Sequence, residues 1–155
     1  SVDFIIIGAN TMHQYVEALE KETGLKVVHI ADATAKEIKK KNISTIGLLG
    51  TRFTMEMDFY TKRLSQSGIE SLVPEKPDRE FINNAIMNEL LKEEFKKDTK
   101  TRFLNIISDL ENQGAQGIVL GCTEIPLLIK QIDVALPVFN TLEIHAKAAV
   151  DFALS

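Results

Sequence analysis

The single thiol of the chain, Cys122, sits in IVLGCTE (Ile118 to Glu124): three apolar residues, a glycine, the cysteine, then residues that open a helix. Turns of this form favour chemistry for a physical reason. At the carboxyl end of a parallel strand, the first N–H groups of the next helix lack an intrahelical partner, so they attract carboxylates and stabilise developing negative charge. A thiol placed there is expected to ionise more readily than the ~8.5 of a free cysteine and to act as nucleophile or base. Thr123 is the expected N-cap and Pro126 suits a first turn, whereas an ionised Glu124 opposes the effect. Free cysteines are in general more often core fillers. The position between a strand-end glycine and a helix start favours a functional reading here.

A second turn has the same form without the thiol. IIIGANT (Ile5 to Thr11) aligns with IVLGCTE and carries Ala9 where the other carries Cys122. Each is followed by another short strand, KVVHI or LPVF, and by an alanine-containing helix, DATAKEI or EIHAKAA. Two such βαβ units imply related halves whose turns face each other across a cleft. Any parallel sheet also generates look-alike turns, so the repeat is an expectation for the fold to answer. Of the three histidines, His13 lies one helical turn after Ala9, at the cleft or the seam beside it. His29 reads as structural, and His145 as a satisfied, partly buried residue or as support behind Cys122.

The elements that must position these residues alternate along the chain. Strands are expected at Phe4 to Gly8, Lys26 to Ile30, Thr45 to Gly50, Glu70 to Val73, Gly117 to Gly121 and Leu136 to Phe139. Helices are expected at Thr11 to Lys21, Ala33 to Lys41, Thr54 to Gln66, Arg79 to Phe95, Thr99 to Gln113, Glu124 to Gln131 and Thr141 to Leu154. The strands are continuously apolar, as they must be when helices cover both faces of a parallel sheet, so the class is α/β. VPEKPDRE (Val73 to Glu80) reads as a loop.

Composition narrows the function. With 155 residues, 45% hydrophobic, 26% charged and a net charge of −4, the sequence is that of a soluble globular protein with no nucleic-acid surface. KEIKKK (Lys36 to Lys41) reads as the solvated end of a helix. One cysteine excludes an internal disulfide, and no Cys/His spacing suits a metal. No signal peptide or membrane span is seen, and the expected location is the cytoplasm.

Four motifs in order, ANTMH (Ala9 to His13), LLGTRFTM (Leu48 to Met55), VLGCTEIP (Val119 to Pro126) and VFNTLEIHAKAAVDFA (Val138 to Ala153), resemble the aspartate/glutamate racemase superfamily. HIADAT and GTRFTMEMDFY are closest to its broad aspartate/glutamate racemase branch. The resemblance implies two pseudo-symmetric Rossmann-like α/β domains with the site between them: 1–30 with 133–155 in the first, 31–132 in the second. It implies a homodimer, no pyridoxal or other cofactor, no metal, and a small acidic amino acid as substrate. A usual opening strand and Gly-rich loop are absent, so an N-terminal segment is expected to be missing.

The resemblance also gives roles. Cys122 would exchange the α-proton on one face of the substrate. Asn10 and Thr11, with the backbone at Ala9, would hold the α-carboxylate; Thr51, Thr54 and Thr123 would add hydroxyls and amides. Lys92, with Arg52 as an alternative, would meet the distal carboxylate. Family members typically carry a second cysteine at the position of Ala9, because one side chain cannot reach both faces of a stereocentre. Three origins fit Ala9: a natural branch of the family, a deliberate Cys→Ala change, and a single-cysteine relative similar to arylmalonate decarboxylase. The first is favoured. A protein that binds the amino acid without turning it over stands as the non-enzymatic alternative. Asn140 stands where the family often has Asp, which removes a charge near the last helix.

Overall fold

The computed structural model describes residues 2–155. Every strand pairing is parallel. Strand β1 (Phe4–Ile5) pairs with β2 (Lys26–Val27), and a four-stranded sheet runs in the order β4-β3-β5-β6. Its members are β3 (Thr45–Gly50), β4 (Glu70–Leu72), β5 (Ile118–Gly121) and β6 (Val138–Asn140). The expected α/β class with parallel sheets is the class the chain adopts.

The continuous apolar runs of β3 and β5 divide by alternation between two cores. Leu49, Ile118 and Leu120 point to one face, where α5 (Lys76–Asn88), α6 (Lys97–Asn112) and α7 (Ile125–Leu128) contribute Ile82, Phe103, Leu110 and Ile125. Ile46, Leu48, Val119 and Phe139 point to the other, against α2 (Ile30–Lys40) and α4 (Asp58–Gln66). Successive side chains of a strand face opposite ways, so a strand covered on both sides must be apolar at every position. That requirement is why β3 and β5 are legible in sequence.

The quasi-repeat has a structural counterpart. β1 and β2 are joined through a 3₁₀ turn (Thr11–Tyr15) and α1 (Val16–Thr23); β5 and β6 are joined through α7. The helices that follow, α2 and α8 (Thr141–Ala153), pack on each other. The expected division at residue 133 cuts through the larger sheet, because β6 is hydrogen-bonded to β5 with Val119 opposite Phe139.

Several boundaries differ from expectation: β1 and β2 end at Ile5 and Val27, α2 starts at Ile30, and α7 stops at Leu128. The helix from Thr54 starts earlier, as α3 (Arg52–Glu56), and breaks at Met57, whose extended backbone (ψ 149°) cannot continue it into α4. Part of the VPEKPDRE loop is the first turn of α5, where Pro77 needs no N–H partner. That helix stops at Asn88, and Glu93 takes a left-handed conformation (φ 59°) two residues before Phe95. Among the described residues no helix is long and apolar enough to cross a membrane.

Candidate active site

The ladder between the two central strands sets the geometry. Gly50 lies opposite Gly121, so Thr51 and Cys122 leave the sheet side by side at its carboxyl end. The glycines are required by the approach of Thr54, which is fully buried. A Cβ added at Gly50 would lie 2.9 Å from the Gly121 carbonyl oxygen and 3.0 Å from Thr54 Cβ; one at Gly121 would lie 3.0 Å from the Leu49 oxygen and 3.1 Å from Thr54 Cγ2.

Hydroxyl groups then link this edge to the turn after β1. Thr51 Oγ1 accepts from the Thr54 N–H (3.4 Å), capping α3, and lies 3.3 Å from Thr54 Oγ1. It also lies 3.0 Å from Thr11 Oγ1. The neighbouring Asn10 is buried and donates from Nδ2 to Thr141 Oγ1 (3.0 Å), which itself donates to the Leu120 carbonyl (2.8 Å). Asn10, Thr11, Thr51 and Thr54 are thus brought together at this edge. One amide hydrogen of Asn10 is already committed to Thr141.

Cys122 is where the electrostatic expectation fails. Its thiol is 5% exposed and donates to Glu124 Oε2 at 3.0 Å, while Thr123 Oγ1 donates to Glu124 Oε1 at 2.6 Å. Burial, reinforced by the hydrogen bond to Glu124, pushes the thiol up to about 12; the backbone N–H groups of Glu124 and Ile125 pull the other way and lose. The lowered value expected of a helix N-terminus is not reached, because α7 has only four residues and supplies little dipole. Thr123 does not cap that helix either. Glu124 holds the N-cap position, and Thr123 is turned to its carboxylate. At neutral pH the group is therefore a protonated thiol hydrogen-bonded to the Glu124 side chain.

Ala9 contributes a methyl group and a carbonyl, the latter accepting from His13 Nδ1 at 2.9 Å. Lys92 is exposed at the end of a 3₁₀ turn (Leu90–Lys92) that packs against α7, and among the described residues it has no hydrogen bond or ion pair to this cluster. Arg52 uses its backbone N–H on Asn83 (2.9 Å). Sequence reasoning missed Thr141, although a signal was present: it directly follows β6 as Thr51 follows β3 and Cys122 follows β5.

Behind Ala9, three buried imidazoles meet. The ring centroid of His13 lies 4.8 Å from that of His29 and 5.2 Å from that of His145. Each ring has one nitrogen fixed by backbone. His13 Nδ1–H donates to the Ala9 oxygen, His145 Nε2–H donates to the Val28 oxygen (2.6 Å), and His29 Nδ1 accepts from the Ala31 N–H (3.1 Å), capping α2. Burial lowers His13, and burial with the Arg63 charge takes His29 to about 3. Among the described residues no group of three His, Cys, Asp or Glu could hold a metal ion.

A base held below its unfolded value stabilises the fold fully above that value, near 6.5, and the stabilisation is lost as pH falls toward 3. We expect the urea midpoint to drop between pH 7 and 4.5, with a slope of up to about 1.4 kcal/mol per pH unit for each proton. His29→Asn keeps the α2 cap and removes the titration, so its profile should be flatter. Parallel profiles would assign the acid sensitivity to the carboxylates instead.

Residues 1–149 match the family model described as Asp/Glu/Hydantoin racemase. The chain is similar to the crystal structure of a Yersinia pestis protein provisionally described as an Asp/Glu racemase (46% identity, TM-score 0.95), covering 99% of this chain and 67% of that one. It is similar to an aspartate racemase homologue from Pyrococcus horikoshii OT3 (37% identity, TM-score 0.90), covering 99% and 68%. It is 25% identical over 154 residues to the broad specificity amino-acid racemase RacX of Bacillus subtilis (strain 168), covering 99% and 66%. The chain thus spans about two thirds of the length of each.

Proposed function

The chain belongs to the Asp/Glu/hydantoin racemase family, and on that premise we propose that it moves a proton at the α-carbon of aspartate or glutamate through Cys122. The observation that carries the reading is the 3.0 Å hydrogen bond from the Cys122 thiol to Glu124, one strand away from Thr51. In the forward step the thiol proton passes to Glu124 Oε2 while the sulfur takes the α-proton. In the return step the sulfur gives a proton to the carbanion and regains one from Glu124. Glu124 is the acceptor through which a thiol raised to about 12, and so protonated at neutral pH, can pass its proton.

The hydroxyls of Thr11 and Thr51, with the backbone amides of the Ala9–Thr11 turn, hold the α-carboxylate and stabilise the charge that spreads onto it as the proton leaves. Thr54 orients Thr51 from within the core. Thr123 acts on the same reaction through Glu124. Lys92, in the 3₁₀ turn that packs against α7, is assigned to the distal carboxylate.

Ala9 has no proton to give, so one face of the stereocentre is served by a protein acid–base group and the other is not. In deuterated water the full-length protein is expected to exchange the α-hydrogen of aspartate or glutamate faster than it inverts the centre. Equal rates would overturn the one-base mechanism. Binding of aspartate with neither exchange nor inversion would identify an amino-acid-binding homologue.

A further inference from the structure

His13 is buried, and the backbone decides where its ring carries a hydrogen. Nδ1 lies 2.9 Å from the Ala9 oxygen, a separation that requires a hydrogen between them, and a carbonyl has none to offer. The hydrogen is therefore on Nδ1. Burial disfavours a second proton, so Nε2 is a bare acceptor, itself buried without a hydrogen-bond partner. Such a group is destabilising, and a phenyl ring would fill the same space without it. What a histidine adds here is the Nδ1–H donor. His29 and His145, each tied to backbone through one nitrogen, pack against the ring and hold its plane.

The backbone N–H of the same residue donates to the Asn10 oxygen at 3.1 Å. His13 thus takes the carbonyls of two successive peptides, Ala9–Asn10 and Asn10–Thr11. In a trans peptide the C=O and N–H point in opposite directions, and no peptide bond among the described residues is cis. Asn10 has right-handed helical dihedrals (φ −58°, ψ −50°), which align the two peptides. The N–H groups of Asn10 and Thr11 therefore both point away from His13, and among the described residues neither makes a hydrogen bond. The Thr11 hydroxyl, 3.0 Å from Thr51 Oγ1, sets this turn beside the carboxyl end of β3. We infer that His13 is a positioning residue for the turn: by holding both carbonyls from behind, it presents the Asn10 and Thr11 N–H groups as a matched pair of donors for one carboxylate. The inference rests on the proposed acidic amino-acid substrate and deepens it, since it assigns the orientation of the carboxylate-binding amides to a side chain outside the proton transfer.

The test is made on the full-length protein at pH 7, with L-aspartate as the probe. Nitrogen NMR of the parent should show the His13 hydrogen on Nδ1, and the reverse tautomer overturns the inference. Adding aspartate should shift the Asn10 and Thr11 amide resonances. His13→Phe keeps the ring and loses the donor, so aspartate affinity should fall about 10-fold. Its urea midpoint should stay near that of the parent, whereas a merely structural role would move stability and affinity together. His13→Asn offers Nδ2 to the Ala9 oxygen and should bind within about 3-fold of the parent. His13→Phe binding as tightly as the parent, or His13→Asn binding as weakly as His13→Phe, overturns the inference. If His13→Phe does not fold, the parent still decides, because Asn10 and Thr11 amides that ignore bound aspartate overturn it too. A parent that binds aspartate without exchanging its α-hydrogen refutes the catalytic reading alone. Exchange in the parent, with affinity unchanged in His13→Phe, refutes only the role of His13.

Discussion

Cys122→Ser is expected to lower α-hydrogen exchange on aspartate or glutamate by roughly 10²–10⁴-fold, the range of a lost general acid–base group. Serine fits the same buried position and can still donate to Glu124, so the fold and the Thr11–Thr51–Thr54 hydroxyl cluster are retained. What changes is proton affinity: an alcohol holds its proton far more tightly than a thiol, even one raised to about 12. Deuterium incorporation followed by NMR measures the effect, and the urea midpoint checks that the variant is folded. Glu124→Gln offers a sharper version of the same expectation. The amide can accept the thiol hydrogen bond but cannot take its proton, so exchange should again fall while aspartate affinity changes little. If either variant exchanges within about 3-fold of the parent, the proton travels by another route.

Gly50→Ala carries the largest expected effect on stability, about 1–3 kcal/mol from overpacking. Of its three nearest neighbours, the closest is a backbone atom, the Gly121 oxygen at 2.9 Å, which cannot move without opening the ladder between the two central strands. The others are Thr54 Cβ at 3.0 Å and Cγ2 at 3.1 Å, so relief in that direction would displace Thr54 and loosen Thr51. Loss of stability and loss of substrate binding should therefore appear together. Gly8→Ala is the control, since nothing lies within 4 Å of its added Cβ. Equal urea midpoints for the two variants would show that the approach of β3 and β5 is less confining than these distances imply.

The contrast between these glycines bears on what sequence can reveal. In LLG and VLG the apolar runs announce buried strands, and the glycines mark where they end, so Thr51 and Cys122 are found by position alone. The motif IIIG around Gly8 looks the same, yet β1 is only Phe4–Ile5 and its following residues leave the sheet. Short strands with partly exposed partners are weakly specified by pattern. The break at Met57 has no glycine or proline to signal it; it depends on α3 and α4 each finding its own packing. Burial of Cys122 was equally hidden, because its reactivity depends on how deep the sulfur lies as well as on which helix follows. Glu124 was visible as a neighbour but its hydrogen bond to Cys122 was not, since contact between residues two apart depends on the turn conformation. Thr141 lay unnoticed for a related reason: 131 residues separate it from Asn10, and only the closed fold brings them to 3.0 Å.

Thr51, Cys122 and Thr141 each occupy the first position beyond a strand of one parallel sheet. Their mutual spacing is consequently inherited from strand alignment, with no flexible connector between to absorb an error. A slip of one residue in either central pairing would carry a side chain about 3.3 Å along the strand and turn it to the opposite side. A misaligned molecule would thus scatter these three side chains as well as lose stability, so their convergence reports whether assembly of the sheet was accurate.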